Sequence, residues 1–389
     1  MVATGRPPHV VLVGAGHAHV EVLRSFAEAP PRGIALTLVT RSRHAPYSGM
    51  LPGLIAGLYR PDETRIDTRP LARAAGAEIV EAGADGVDVG ARRLTCEGRP
   101  PVPYDILSFD IGSTTDGAGV PGASEHTVPV RPIDSFLRRF DSLRQRVLHA
   151  GETTRIAIVG GGAAGVELAL SVAHRLRNEL REAGRPVDGA QFVLVSGASA
   201  LLPDFVPSFG ARFRTVLEET GIEVVTGAPV AAVEPGRLIL SGRPAVPADE
   251  ILWVTGAAAQ PWLRSTDLPL DRRGFISVDS DLRVRGLDNV FAAGDIASFT
   301  PRPLAKSGVY AVREGPVVAQ NIRRLLAGEP LVRYRPQRNT LYIVSTGRRH
   351  AIATRNGIVV EGNWVWHLKD WIDRRWIARY QAVGSSTGE

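Results

Sequence analysis

Four apolar residues in a row, Val10 to Val13, run into Gly14-Ala15-Gly16, and beyond them Val20 and Leu23 return at helical spacing. An unbroken apolar run closed by glycines and followed by a 3.6-residue period predicts a buried strand, a tight turn and a helix. The pattern recurs at Arg155 to Ala169, where Ile156 to Val159 lead into Gly160-Gly161-Gly162 and a second apolar helix. Ala35 to Thr40 reads as a strand, residues 78 to 97 as short strands turning at Asp85-Gly86 and Val89-Gly90, and Tyr104 to Ser113 as an apolar strand that passes Gly112. Arg131 to His149 places Ile133, Phe136, Leu137, Phe140, Leu143 and Val147 on one stripe, which predicts a connecting helix. Gln191 to Val195, Ile222 to Val233, Arg237 to Leu240 and Glu250 to Val254 read as the remaining strands of the second unit, closing on Thr255-Gly256.

Further on, Asn289 to Asp295 is a short strand ending in Gly294 and an aspartate, followed by a helical stretch from Ser307 to Leu326. Three short strands follow, Leu341 to Ser345, Ala351 to Thr354 and Ile358 to Glu361, the last two joined at Asn356-Gly357, a hairpin signal. The final helix places Trp364, Leu368, Ile372, Trp376 and Tyr380 at steps of four. That face is expected either to pack on the small β unit or a second subunit, or to lie in a membrane interface, with Lys369, Arg374, Arg375 and Arg379 opposite it. The first eight residues and those after Val383 are expected to be disordered.

Length and composition narrow the class. A chain of 389 residues is long enough for two or three domains, and 44% hydrophobic residues, 22% charged residues and 41 glycines suit a soluble α/β protein. The net charge of +6 is carried by arginine, since Lys306 and Lys369 are the only lysines, and no basic run with interleaved aromatics points to nucleic acid. A single cysteine, Cys96, excludes an intrachain disulfide and a CxxC pair, and suits a cytoplasmic setting. The N-terminus does not read as a secretory signal. Ile156 to Ala173 carries Glu167 as its only charge, yet its three adjacent glycines and that glutamate favour a strand and helix over a membrane span.

The glycine loops carry the chemistry. In such a turn the first glycine takes a positive φ, the second admits a pyrophosphate, and the helix N-terminus offers unpaired N–H groups. Gly14 and Gly16 fill the first two positions and His19 stands at the third; Gly160, Gly162 and Gly165 fill all three. The acid that often holds the ribose hydroxyls is missing at both second-strand ends. Thr40 and Arg41 occupy one, and Ser196 the other with no arginine beside it, so the sequence does not choose between NAD and NADP. Tyr47 to Gly53, with Met50 inside it, marks an irregular loop beside the nucleotide. His17 and His19 are too few to hold a metal, and none is expected.

Two glycine loops with a late Ala-Gly-Asp strand resemble, over about residues 9 to 326, the FAD-dependent pyridine nucleotide-disulfide oxidoreductases. GAGHAHVEVL, YSGMLPG and KSGVYAVREGP are similar to the flavoprotein module associated with selenide, water dikinase, itself similar to type II NADH dehydrogenases. The resemblance implies two Rossmann-like domains, the second inserted in the first: 9–125 and 255–326 for FAD, 126–254 for NADH or NADPH, and a small C-terminal α+β unit at 327–383. It implies a FAD site at Gly14, Ala15, Gly16, His17, Ala18, Thr40, Arg41, Tyr47, Met50, Gly112, Gly256, Gly294 and Asp295. It likewise implies a nicotinamide nucleotide on Gly160, Gly162, Ala163 and Gly165. With no cysteine pair, electrons leave the flavin directly, and the implied activity is NAD(P)H oxidation with a quinone or another diffusible acceptor. Glu167 is then a candidate for proton handling, against simple complementarity to a helix N-terminus. Lys306 is a candidate for stabilising charge on flavin or acceptor, against an ordinary surface charge. In type II NADH dehydrogenases two glutamines line the quinone site; Val309 and Arg313 stand there, which leaves the acceptor open. The other reading is a flavin-binding accessory or redox sensor in selenium metabolism. The expected location is cytoplasmic, with peripheral contact at the inner face of the membrane as the alternative.

Overall fold

The structure, a computed structural model, describes residues 6–117, 119–337 and 339–384. Residues 1–5 and 385–389, expected to be disordered, lie outside that range. Two parallel five-stranded sheets dominate. The first has the order Val290–Ala292, Ile106–Phe109, His9–Val13, Ala35–Thr40, Ala77–Glu81. The second has Val128–Pro129, Glu250–Trp253, Thr154–Val159, Ala190–Val195, Ile222–Val225. In each, the first strand of the unit is central and the chain order reverses beside it, which opens a crevice at the carboxyl ends of the strands. The central strands are buried on both faces, as parallel strands covered by helices must be.

Each glycine loop feeds a helix, His17–Glu28 in the first unit and Ala163–Glu182 in the second. Against the first lies Gly308–Leu326, capped by the Ser307 side chain, which accepts the Val309 N–H. The two helices meet at Gly315, where a Cβ would press on Glu21 and on the Ala18 backbone. A third sheet, Tyr342–Ser345, Ala351–Arg355 and Ile358–Gly362, is an antiparallel meander, and Asn356 and Gly357 both take positive φ in its expected hairpin turn.

Three local expectations are corrected. Asp85-Gly86 is not a turn; both lie in the strand Ala84–Asp88, where the register shifts between Ala84 and Gly86, so the glycine serves a bulge. Ile222 to Val233 is two strands in two sheets, broken at Gly227, whose φ of +62° turns the chain into an antiparallel meander. The last helix, Asn363–Gln381, buries only the second half of the stripe that steps of four select, Trp376 and Tyr380, and leaves Trp364 and Ile372 exposed. Its buried face is Val365, Trp366, Asp373, Trp376, Ile377 and Tyr380, whereas Trp364 is 58% and Trp371 57% exposed. The helix buries polar Asp373 because partners for it wait in the site below.

Candidate functional site

The first glycine loop opens on a cavity of about 320 Å³ at the carboxyl edge of the first sheet. Gly14, Ala15, Gly16 and His17 line one wall, Thr40 and Arg41 one end, and Gly112, Arg131, Gly294 and Asp295 the opposite side. Gly14 has a φ of +87°, and a Cβ on it would overlap the Asp110 backbone; a Cβ on Gly16 or Gly294 would overlap the Asp110 carboxyl. All three glycines are therefore required by the close approach of Asp110, around which the loop is wrapped.

Asp110 was not singled out by its sequence context, yet it is the centre of this loop. Its Oδ2 accepts the N–H groups of Ala18 at 2.7 Å and His19 at 3.0 Å. Burial pushes its carboxyl up to about 7, against the pull of those two hydrogen bonds, with Asp295 adding to the rise. Glu314, reaching from the facing helix, accepts the Gly294 N–H at 2.6 Å and is likewise pushed up to about 7 by burial.

His19 explains the missing third glycine. Its ring is fully buried, with Nδ1 2.7 Å from Gly14 O and Nε2 2.8 Å from Ser108 Oγ, so it bolts the helix to loop and strand. In the second loop the glycine is obligatory, because a Cβ on Gly165 would overlap Gly160 O. His17 points the other way. Its Nε2 is buried with no partner, and burial pulls its pKa down to about 4, leaving a neutral ring at the cavity wall. Tyr47 and Trp376 back it, stacked on each other with ring centroids 4.3 Å apart.

Ala18, Tyr47, Met50 and Gly256 do not line the cavity. The Ala18 N–H is taken by Asp110, and Met50 is fully buried in the core. Gly256 is exposed, its carbonyl accepting the Asp116 N–H. Arg131, which sequence reasoning missed, pairs with Asp295 at 3.1 Å and with Ser113, placing a guanidinium at the cavity wall.

Around the second loop, Gly160 has a φ of +137° and lies against Val254 O, and Gly162 is open to solvent with Ala163 beside it. Glu167 does not lie in the first turn, which holds no acid, so helix complementarity does not account for it. Its Oε1 accepts the Ser345 N–H at 2.6 Å. Burial raises its pKa, opposed chiefly by Lys369. Lys369 Nζ donates to Gly49 O at 2.5 Å and to Asp373 Oδ2 at 2.6 Å, and Asp373 Oδ1 accepts from Tyr47 Oη at 3.0 Å. Burial works against the Lys369 ammonium, but Asp373 and Glu167 hold its pKa above the usual value. Glu167, Lys369, Asp373 and Tyr47 thus form one polar network between the second glycine-loop helix, the YSGM loop and the last helix. Lys306, the other lysine, is spent elsewhere: it donates to Ala297 O and lies 4.1 Å over the Phe275 ring, outside the cavity lining. Burial lowers it to about 8.

Residues 8–317 match the family model for pyridine nucleotide-disulphide oxidoreductase. The chain belongs to that family. Its relatives include the NADH dehydrogenase-like protein YutJ of Bacillus subtilis, 26% identical, the match covering 84% of this chain and 86% of the relative. The type II NADH:quinone oxidoreductase Ndh of Mycobacterium tuberculosis is 25% identical, covering 84% and 75%. A solved structure, NDH2 from Plasmodium falciparum in complex with NADH, superposes with a TM-score of 0.82 at 14% identity, covering 98% of this chain and 99% of that one. The chain is an oxidoreductase of the NAD(P)H dehydrogenase type, with FAD as its cofactor. The cavity lined by the glycine loop, with the Arg131 guanidinium and the orphaned His17 Nε2 at its wall, fits that cofactor.

Proposed function

We propose that this enzyme oxidises NADH or NADPH and delivers the electrons to a quinone or similar diffusible acceptor, with no dithiol relay. Bound FAD supplies the two-electron carrier between donor and acceptor. Gly14 to His17, Thr40, Arg41, Gly112, Gly294, Asp295 and Arg131 are the residues to hold it, and Gly160, Gly162, Ala163 and Gly165 those to admit the nicotinamide nucleotide. The single cysteine is buried in the strand Arg93–Cys96 and does not itself line the cleft, although its cross-strand partner Ala84 does, and one thiol cannot form a dithiol relay.

The observation that carries this reading is the network of Glu167, Lys369, Asp373 and Tyr47. Reduction of a quinone takes two electrons and two protons, whereas a nicotinamide donates one hydride. One further proton has to come from a protein group or water. Glu167 has its proton affinity raised by burial and faces an ammonium that keeps the site electrostatically balanced, which suits proton delivery. Among the described residues no helix is long and apolar enough to cross a membrane. Contact with a lipid-borne acceptor is instead assigned to the C-terminal unit, where Ile358, Trp364 and Trp371 are each more than half exposed and Arg375 lies beside Trp371.

The test is anaerobic. The flavin absorbance of the purified protein should bleach on adding NADH or NADPH and return on adding a short-chain quinone. Failure of both nucleotides to bleach it would overturn the reading in favour of an accessory or sensor role.

A further inference from the structure

The adenosine end of the second nucleotide site carries an arginine that sequence adjacency conceals. In dinucleotide-binding units the end of the second strand reads the ribose 2′ position, where an acid binds the free hydroxyls and an arginine receives a 2′-phosphate. In this unit that strand, Ala190–Val195, ends at Ser196. Two further loops reach the same edge. Thr226 to Pro229 follows the neighbouring strand Ile222–Val225, and the Gly227 N–H donates to Ala198 O at 2.7 Å. The turn Ser241 to Ala245 returns to it as well, held by Ser241 N–H donating to Pro229 O at 2.9 Å.

The three loops, Ser196 to Ala200, Thr226 to Pro229 and Ser241 to Ala245, contain no Asp or Glu and one cation, Arg243. A Cβ on Gly227 would lie 3.7 Å from Arg243 Nη2 and 4.0 Å from Ser199 Cα, so the guanidinium stands close to the serine loop across a glycine that keeps the space open. Ser199 and Arg243 are both exposed, and Arg243 makes no hydrogen bond or ion pair with any described residue. The first unit differs at the equivalent corner: Arg41, at the end of its second strand, is tied to Glu97. Arg214 adds positive charge on the far side, where its Nη2 donates to Thr226 Oγ1 at 2.9 Å.

We propose that Ser199 and Arg243 form a binding site for the 2′-phosphate of NADPH, and that NADPH is the preferred hydride donor. The proposal rests on the reading above that the second glycine loop receives a nicotinamide dinucleotide. A guanidinium with no partner meets a phosphate without first breaking an ion pair, and its planar fork matches two phosphate oxygens. A neutral serine in place of an acid removes the charge that would repel that phosphate.

Fragment binding tests this apart from turnover. Calorimetric titration of the FAD-loaded protein with 2′,5′-ADP and with 5′-AMP should show the former binding at least about tenfold more tightly, the worth of one charge-assisted contact. Rapid-mixing flavin reduction should give NADPH a similar advantage over NADH in apparent affinity. Arg243→Ala and Arg243→Glu should collapse both ratios, and Arg243→Lys should restore part of them, which a folding defect would not do. Equal binding of the two fragments, or a preference that survives Arg243→Ala, overturns the proposal while leaving the dehydrogenase reading intact. If neither fragment binds and neither nucleotide bleaches the flavin, both readings fall together.

Discussion

Asp110 Oδ2 lies 2.7 Å from the backbone nitrogen of Ala18, so a carboxyl group occupies helix N–H groups that a pyrophosphate loop ordinarily leaves open. Burial pushes Asp110 and Glu314 to about 7 in the folded protein, well above their unfolded values. With folded pKa values raised, the folded state holds protons that the unfolded chain has released. Stability from these groups is therefore full below about pH 4 and is lost as pH rises to about 7. Asp110→Asn, which keeps an acceptor for the two N–H groups, should leave stability near pH 5 little changed and raise it at pH 8 by ~1–3 kcal/mol. Thermal melts across that range check it; a variant equally destabilised at both pH values counts against a protonated Asp110.

Glu167 and Lys369 should separate in their effects. Glu167→Gln is expected to leave FAD bound and slow turnover by about a hundredfold, with the fall in rate on the alkaline side, where a proton donor empties, lost from the pH profile. Lys369→Met strands the buried Asp373 and should cost about 3 kcal/mol of stability, most of it recovered in Lys369→Met/Asp373→Leu. Absorbance spectra, steady-state kinetics and denaturant melts check these outcomes, and an unchanged rate in Glu167→Gln removes that residue from the mechanism.

The two glycine loops should fail independently. Gly16→Ala drives a methyl into the Asp110 carboxyl and should yield protein largely free of FAD. Gly165→Ala drives one into Gly160 O and should abolish nucleotide binding while the flavin spectrum persists. Flavin content per chain and fragment titration distinguish the two.

Trp364→Ser/Trp371→Ser should lose most binding to anionic liposomes in sedimentation while keeping its melting temperature, because both rings are more than half exposed. Unaltered sedimentation would detach the C-terminal unit from membrane contact.

The parts of this molecule legible in its sequence are those set by near neighbours. The apolar run into Gly14, the complete loop at Gly160 and the Asn356-Gly357 hairpin are each local patterns, and each lies where its spacing puts it. Asp110 was passed over because one acid at the end of an apolar strand has no local signature; only the folded loop brings Ala18 and His19 above it. Ile222 to Val233 read as one strand because alternation continues across the break that Gly227 introduces. On the last helix a period of four selects Trp376 and Tyr380 correctly but also the exposed Trp364 and Ile372, because the inward face is chosen partly by Lys369 and Asp373. Of the two lysines, the one beside the late aspartate drew attention, while the one in the site reaches it from a distant element.

Tyr47 and Asp373 are 326 residues apart, yet they share a hydrogen bond at the heart of the polar network. Both parallel sheets are complete in the chain before Asn363–Gln381 is synthesised. The core of the first unit nevertheless takes in Val365, Trp366, Trp376, Ile377 and Tyr380 from that helix. The polar network closes only when the last helix docks, so the end of the chain completes the first unit's core and the network in the same step.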